Sequence, residues 1–542
     1  MQSLSVLILG LFLPLCAAWA DEGHHHALTE EEVGSVHFET SCSRDIAGSF
    51  NRAVALLHSF QYEQTRQGFT QIAKEHPECA MAEWGIAMSH YHGLWGSGDI
   101  VAGREALGKA QHIAASNTRT TARERAYIDA LAEIYREDGK DKTTHSQAFE
   151  QKMASLQSGY PDDTEAAIFH ALSLAITAPK TDKSFANQRK CGEILEPILA
   201  KQPNHPGVAH YVIHCYDNPV LAKNGLGAAR MYAKIAPASA HANHMPSHIF
   251  TRVGSWDESI NSNLKSAALA TKDEAASSNA EARDQRLHAM DYLEYAYLQS
   301  ARVEQAKTVL DEMNSLKPVP GLTQTGNYAL AAIPARYALE LKNWHEAAAL
   351  VPSTEGVPWA QAITWMAIGV GSARLGNVNR ALQAEHKLGE LRDTAASQSG
   401  YWSNQIEVQR REVEAWIADQ RGHGSDAAAI MRSAADLEES MDKDAVTPGA
   451  IVPAREMLAE VLLAHNSPEQ ALAEYRSVLQ TAPRRFNALY GAAGASEAAG
   501  DRVVANEYFR QLIEIGVGDE RPELTTARMK VGIGAQNRPK VD

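Results

Sequence analysis

A 34-residue period relates two stretches near the carboxyl end of the chain, AREMLAEVLLAHNSPEQALAEYRSVLQTAP from Ala454 and NALYGAAGASEAAGDRVVANEYFRQLIEIG from Asn487. A fixed period of this length is typical of stacked repeats, each of which buries its apolar face only against its neighbours. The residues that recur with this period are Ala459 with Ala493, Ala471 with Ala505, and Tyr475 with Phe509. Because small residues let two helices approach and an aromatic ring fills the gap between them, the pattern predicts an all-α array of helical hairpins.

The repeat resembles the tetratricopeptide repeat (TPR). It has a small residue in its first helix, an alanine before an aromatic residue in its second, and Pro483 at its end, where a helix cannot continue. The frame extends upstream, since Pro203 and Pro237 are separated by the same period and Gly254 fits the turn within a hairpin. The resemblance implies a TPR-like helical-hairpin solenoid, a superhelix with a concave groove.

The amino terminus has the pattern of a secretory signal peptide. Residues 4–15 are almost all apolar, and AWA precedes Asp21, which predicts a signal peptide over 1–20 with cleavage after Ala20. No later run reaches the roughly 18 apolar residues of a membrane span. We therefore expect a periplasmic or secreted protein. Its expected parts are a partly disordered segment over 21–44, a TPR-like array over 45–315, a second array over 316–517 and a tail over 518–542.

Composition and missing motifs exclude several functions. The net charge is −15 and lysines and arginines do not cluster, which argues against a nucleic-acid partner. The sequence has no CxxCH, HExxH, GxSxG or P-loop motif, so it gives no haem or nucleotide signature. Whether the protein is an enzyme stays open at this point, because a metal held by histidines could still activate water or bind oxygen.

Four cysteines follow the signal peptide, and an oxidising compartment favours disulfides. In the TPR frame, Cys42 and Cys79 each precede the first helix of a hairpin. The first helices of neighbouring hairpins are adjacent in a solenoid, so the resemblance implies a Cys42–Cys79 disulfide at the amino-terminal end. The sequence alone allows three pairings of the four cysteines, so the state of Cys191 and Cys215 stays open between a disulfide, two buried thiols and one soft metal ligand.

Histidines are concentrated in one short region, since six of the 22 in the chain lie within residues 205–248. His244 follows His210 by one 34-residue period, and His248 follows His214 by the same period. Each pair is spaced i, i+4, so each lies on one face of one helix. Such a pair can bind a transition metal, and a pair on a neighbouring helix can complete the coordination.

The TPR resemblance implies that these positions face the concave groove, with His241 one helical turn before His244. Alignment of the next first helix places His288, Asp291 and Tyr295 at the same three positions, where the Asp291 carboxylate could ligate a metal or orient a histidine. The candidate ligands of a copper, zinc or iron ion are therefore His210, His214, His244, His248, His288 and Asp291. Repeat duplication could also copy a histidine pair without function.

Further residues are expected to line the groove: His241, Tyr295, Asp217, Arg252, Arg336, His58 and His92. Asp217 follows the first histidine helix and could assist it. Arg252 and Arg336 could bind an anion or form ordinary salt bridges. His58 and His92 are again separated by one period, and a structural role at helix ends is the favoured interpretation for both.

The stretch APASAHANHMPSHIFTRVGSWDESINSN also resembles a group of secreted bacterial TPR proteins without an assigned biochemical role. That resemblance implies an architecture and a site, and no activity. Three hypotheses follow. The first is a metal-binding solenoid, the second is a TPR adaptor that binds a peptide or protein in its groove, and the third is a metal-dependent hydrolase or oxidase that uses the same histidines.

Overall fold

The computed structural model describes residues 28–94, 98–277, 280–353, 356–517 and 521–532. The predicted signal peptide lies outside these residues. Within them the regular structure is helical and no strand occurs, which confirms the all-α prediction.

The helices of the first half carry the histidine-rich region. They are α1 (Glu30–Val33), α2 (Ala47–His58), α3 (Tyr62–Glu75), α4 (Ala80–Ser89), α5 (Ile100–Ser116), α6 (Ala122–Ala132), α7 (Lys142–Gly159), α8 (Thr164–Thr177), α9 (Ala186–Lys201), α10 (Pro206–Tyr216), α11 (Leu226–Ile235), α12 (Ala240–His244), α13 (Pro246–Val253), α14 (Trp256–Ser277) and α15 (Ala280–Gln299). Two 3₁₀ turns, Arg44–Ile46 and Ala222–Gly225, precede α2 and α11.

The second half continues the array. Its helices are α16 (Val303–Ser315), α17 (Gln324–Glu340), α18 (Trp344–Ala349), α19 (Pro358–Arg374), α20 (Val378–Ala396), α21 (Gly400–Gln420), α22 (Gly424–Glu439), α23 (Ala454–Ala464), α24 (Pro468–Thr481), α25 (Phe486–Ala498), α26 (Arg502–Ile515) and α27 (Pro522–Lys530). Each helix packs on the next, and alternate helices from α15 to α25 also pack on each other. This is the contact pattern of stacked hairpins.

The residues that define the 34-residue period have the packing roles expected of them. Ala471, Ala505 and Tyr475 are buried. The ring of Tyr475 lies against Gly491, where an added Cβ would be 2.2 Å from the ring. The repeat signature therefore marks positions where two helices touch too closely for larger side chains.

The carboxyl-terminal repeats pack against the middle of the chain and close the superhelix. Trp256 Nε1 donates a hydrogen bond to the Arg484 carbonyl at 3.1 Å, and the Phe486 amide donates to Gln299 Oε1 at 2.9 Å. Apolar residues of 256–337 and 486–527 form one common core. The two predicted arrays are thus joined by contacts that the linear repeat pattern does not contain.

The amino-terminal segment is packed from residue 28 onward, since Val33, Val36 and Phe38 are buried in the first core. Two disulfides lie in the same half. Cys42 and Cys79 are bonded, with their Cα atoms 5.2 Å apart, as are Cys191 and Cys215, with their Cα atoms 6.1 Å apart. The second bond joins α9 to α10 and leaves neither of its sulfurs as a free thiol.

The concave side is occupied by the chain itself. The connection between α22 and α23, residues 441–453, which we call the groove segment, crosses from the second half to the histidine-rich helices. The Asp442 amide donates to the Lys180 carbonyl at 2.8 Å, and Lys443 Nζ contacts Asp217 Oδ2 at 2.7 Å. On the opposite wall, the Tyr292 hydroxyl donates to the Thr447 carbonyl at 2.9 Å.

Candidate metal centre

Four helices bring the histidines together: α10, α12, α13 and α15. Ser239 caps α12, because its hydroxyl accepts from the Ala242 amide. Proline at position 246 has no amide hydrogen and begins α13, so the helix path breaks after His244. His241, His244 and His248 nevertheless follow one another at intervals of one turn along this wall.

The first histidine cluster contains His210, His214 and His241. The Nε2 atom of His210 lies 3.0 Å from Nε2 of His214 and 3.0 Å from Nε2 of His241. The possible ligand atoms of all three lie within 4.8 Å of one another. The i, i+4 pair comes from α10 and the third ring comes from α12, so neighbouring helices complete the cluster.

The second cluster contains His244, His248 and His288 and has the same construction. The Nε2 atoms of His244 and His248 are 3.0 Å apart, and the His288 ring on α15 lies 4.2 Å from the His244 ring. Their possible ligand atoms again lie within 4.8 Å of one another. Tyr292 packs beside both rings of the pair, with ring centres 4.8 Å from each.

In three of these rings Nδ1, the nitrogen that faces away from the cluster, lies within hydrogen-bond distance of an oxygen acceptor. Nδ1 of His210 donates to the His58 carbonyl at 2.6 Å, and Nδ1 of His248 faces Asp217 Oδ2 at 2.8 Å. Nδ1 of His244 faces Asn263 Oδ1 at 2.7 Å. The Asn263 amide is oriented by its own Nδ2, which donates to the Ser259 carbonyl, so its oxygen faces the ring.

These acceptors fix the tautomer of each ring. A proton on Nδ1 leaves Nε2 with its lone pair, which is the form of histidine that binds a metal, and such outer hydrogen bonds are characteristic of metal-binding histidines. In the second cluster, two lone pairs then face each other across 3.0 Å between His244 and His248. Because lone pairs repel, this arrangement requires a cation between the rings, either a proton or a metal ion.

The spacing fits a metal ion. Two metal–nitrogen bonds of about 2.0–2.1 Å, at bond angles between a right angle and the tetrahedral angle, place their nitrogens roughly 2.9–3.4 Å apart. The Nε2 separations of 3.0 Å fall in this range.

Burial keeps the rings neutral. His210 and His244 are completely buried, and His241, His248 and His288 are at most 2% exposed. Loss of hydration lowers the pKa of His210 to about 3 and holds the pKa of His244 well below its usual value. Unprotonated imidazole at neutral pH is the state required of a metal ligand.

Asp217 connects the second cluster to the groove segment. Besides His248, its carboxylate contacts Arg252 Nε at 2.8 Å and Lys443 Nζ at 2.7 Å. Arg252 also reaches Asp442. Despite burial, these cations hold the pKa of Asp217 well below its usual value. Arg252 is therefore committed to internal salt bridges, which was one of its two predicted roles.

Helix α15, the third helix predicted to face the groove, contributes one histidine. Its two other predicted groove positions, Asp291 and Tyr295, contact other residues. His288 joins the second cluster, whereas Asp291 forms a fully buried ion pair with Arg336. Arg336 also contacts Glu294 and lies over the Tyr295 ring at 5.4 Å. Asp291 thus neutralises an arginine, and His241, predicted only to line the groove, takes the third place in the first cluster.

His58 and His92 have structural contacts. His58 Nε2 and His205 Nε2 lie 2.9 and 2.8 Å from the two oxygens of Glu165, and His58 Nδ1 lies 2.9 Å from the Tyr211 hydroxyl. Both ring nitrogens of His58 are therefore used inside this buried group. His92 stacks on Tyr62, with ring centres 4.0 Å apart.

Two parts of the site were not found from the sequence. The acceptors Asn263 and the His58 carbonyl have no motif, because neither belongs to the repeat positions of the histidine helices. The groove segment was also missed, and it changes the nature of the site. The histidines were expected on the wall of an open groove, but five of the six are buried, and residues 441–453 contact the residues beside the second cluster, Asp217 and Tyr292.

A cavity of about 510 Å³ lies on the other side of the groove segment. Thr251 and Arg252 line its end near the histidines, and aromatic, aliphatic and charged side chains line the remainder. Trp359 and Trp402 are stacked in it, 5.3 Å apart. Its size and apolar lining suit a small organic ligand.

Comparison with known proteins gives little beyond architecture. No family model matches the chain, and no curated protein matches it. Similar solved structures include a tetratricopeptide repeat protein from Parabacteroides merdae, 13% identical over 54% of this chain and 98% of that one, with a TM-score of 0.28. The human IFIT1 dimer with m7Gppp-AAAA is 10% identical over 80% of this chain and 90% of its own, with a TM-score of 0.35. Yeast Tom70 is 12% identical over 74% and 95%, with a TM-score of 0.29.

Scores this low carry no functional information. The stacked hairpins and the 34-residue period of the chain itself decide its architecture. The fold is TPR-like. In this TPR-like solenoid, none of the described helices combines the length and apolar character that a membrane crossing needs.

Proposed function

We propose that the protein binds a transition metal, copper, zinc or iron, through the buried histidines of its TPR-like solenoid. The single observation that carries this proposal is the pair His244 and His248, whose Nε2 atoms face each other at 3.0 Å while both Nδ1 atoms face oxygen acceptors. A core histidine kept for packing needs no second imidazole opposite its lone pair. A metal ion between the two nitrogens satisfies both.

The setting supports the proposal in a second way. In the first cluster His210 is held in the same way as the two rings of the pair, because its Nδ1 proton is bound by a backbone carbonyl that can only accept. Burial then excludes water from the ligand nitrogens and keeps them unprotonated. Outer hydrogen bonds of this kind raise ligand basicity and fix ring orientation.

We also propose that the protein works in the periplasm or outside the cell. The predicted signal peptide and the two disulfides support this, since disulfides persist in oxidising compartments. In such a compartment imidazole ligands are more durable than free thiolates.

The other two hypotheses now differ in their support. A peptide adaptor would need an open groove, and the groove segment occupies the part of it above the histidines. Ligand binding is better placed in the 510 Å³ cavity of the second half. A metal-dependent hydrolase or oxidase would combine the histidine centre with this cavity, because Arg252 contacts Asp217 and also lines the cavity.

The test is elemental analysis of protein purified without an affinity tag and without chelator. His24, His25 and His26 should be replaced by serine, so that the amino-terminal histidines cannot contribute metal. We expect stoichiometric copper, zinc or iron in this protein and its loss in the His210→Gln, His244→Gln double variant. The matched control is His386→Gln, whose side chain is 78% exposed.

Glutamine preserves polarity and approximate volume, and a circular dichroism melt of each variant reports whether it folds. Absence of metal in the folded parent protein, including after incubation with each of the three ions, would contradict the proposal.

A further inference from the structure

The two histidine clusters are built by one rule. Each combines a histidine pair spaced i, i+4 with a single histidine from another helix: the first pair lies on α10, and the second spans the end of α12 and α13. The wall formed by α12 and α13 serves both, because His241 belongs to the first cluster and His244, one turn later, begins the second. The clusters are consequently neighbours along one shared wall.

Ring contacts between the clusters show how close they are. The rings of His214 and His248 are 6.2 Å apart, and the rings of His241 and His244 are 6.3 Å apart. Two-metal sites in enzymes hold their ions about 3.5–4 Å apart. Rings from the two clusters at these separations are close enough to bind two ions that lie side by side. Six histidines are also more ligands than one ion needs.

The pattern stops after two clusters, and the structure shows why at each end. On α10 the position equivalent to His241 is Gly207, and an added Cβ there would lie 2.6 Å from Nδ1 of His58. On α15 the position equivalent to His244 is Asp291, which pairs with Arg336. The neighbouring His58, Glu165 and His205 group already satisfies its carboxylate with two histidines, so it offers no third site.

The ligand chemistry favours copper. The six clustered ligands are all imidazoles, and the carboxylate beside them, Asp217, is engaged with Arg252 and Lys443. Two divalent ions would bring four positive charges into a buried site whose neighbouring anion is already paired, which burial makes costly. Two Cu(I) ions bring half that charge, and among divalent ions copper binds a given set of nitrogen ligands more tightly than iron or zinc, which favours copper in the oxidised centre as well.

We infer that the six histidines hold two adjacent copper ions, one in each cluster, as a dinuclear centre. This inference rests on the proposed metal binding. With three imidazoles as ligands, each ion would keep a coordination position for a further ligand. A one-electron oxidant such as ferricyanide would take one electron from each Cu(I), and a water molecule from solvent would lose one proton to solvent and supply a bridging hydroxide.

The experiment begins with an anaerobic Cu(I) titration of the full-length protein against the chelator bathocuproine disulfonate. We expect two copper ions per chain. The His214→Gln variant, altered in the first cluster, and the His288→Gln variant, altered in the second, should each retain one. His386→Gln should retain two, and a thermal melt of every variant monitors folding.

Electron paramagnetic resonance then tests whether the ions are paired. After oxidation with ferricyanide, which accepts one electron per copper, the parent protein should give little Cu(II) signal, because a bridging hydroxide couples the two spins. Each single-cluster variant should give the full signal of one isolated Cu(II). The spectra thus separate a paired centre from two independent sites.

Each contrary outcome points to a different failure. One copper per chain in the parent would overturn the dinuclear centre and leave the proposed metal binding intact. Two coppers with full, uncoupled signals would overturn the pairing. No bound copper, with zinc or iron bound instead, would overturn the choice of metal, and no metal of any kind would overturn the proposed function as well.

Discussion

His248 Nδ1 lies 2.8 Å from Asp217 Oδ2, and the same oxygen lies 2.7 Å from Nζ of Lys443. Through this one carboxylate, a histidine of α13 is connected to the groove segment from the other half of the chain. The carboxylate that orients the His248 ring therefore also binds the groove segment beside the site.

Asp217→Asn should weaken metal binding by about 10- to 100-fold, the usual effect of removing a carboxylate behind a metal-bound histidine. Asparagine can still accept a hydrogen bond from His248, but it does not carry the charge that increases the basicity of the ring. Affinity is measured by chelator competition. The matched control, Asp419→Asn, removes the carboxylate that accepts from His465 on the surface and should leave affinity unchanged. Equal affinities in both variants would contradict the role of Asp217.

Lys443→Ala should loosen the groove segment without removing a ligand. The segment loses its contact with Asp217 and keeps the hydrogen bonds of Asp442 and Thr447. We expect faster hydrogen exchange over 441–453 and faster release of metal to a chelator, with unchanged stoichiometry. Lys530→Ala removes a surface ion pair with Glu497 and serves as the control. An unaltered release rate would show that the segment does not restrict access to the centre.

Replacing both Cys191 and Cys215 by serine should lower stability and leave metal stoichiometry intact. The bond closes a loop between residues 24 apart in the chain, and a crosslink of that length stabilises by about 3 kcal/mol through loop entropy. Thermal denaturation and elemental analysis measure the two effects. The Cys42→Ser, Cys79→Ser variant, with a separation of 37 residues, should be destabilised similarly. Loss of metal only when Cys191 and Cys215 are replaced would show that one of these two cysteines is a metal ligand.

Glu438→Gln should stabilise the protein at neutral and alkaline pH. Burial, and to a smaller extent the charge of Glu439, raises the pKa of Glu438 to about 7 from its usual 4.5. A raised carboxyl pKa means that the folded state holds the proton, so this group costs stability as the pH rises from 4.5 to 7 and the cost is complete above 7. The variant should exceed the parent by up to about 3 kcal/mol at pH 8 and match it at pH 4.

Thermal melts at pH 4, 6 and 8 measure this difference. Glutamine can still accept from the Ala454 amide, as Glu438 does at 3.0 Å. Glu514→Gln, whose side chain is 70% exposed, is the control. A difference between Glu438→Gln and the parent that did not depend on pH would show that Glu438 is ionised in the folded protein.

The sequence by itself determined the helical hairpins and the register of two histidine pairs. Helix formation and the stacking of neighbouring repeats depend on residues close in the chain, so the 34-residue period records both. For the same reason the period alone places His210 with His214 and His244 with His248 on equivalent helix faces.

Only the tertiary structure decided which histidines share a cluster and what surrounds them. His210 is held by the carbonyl of His58, 152 residues away, and Lys443 reaches Asp217 across 226 residues. Asp291 pairs with Arg336 because each buried charge needs an opposite charge beside it. Contacts at such separations depend on how the superhelix closes on itself, and no local period in the sequence encodes that closure.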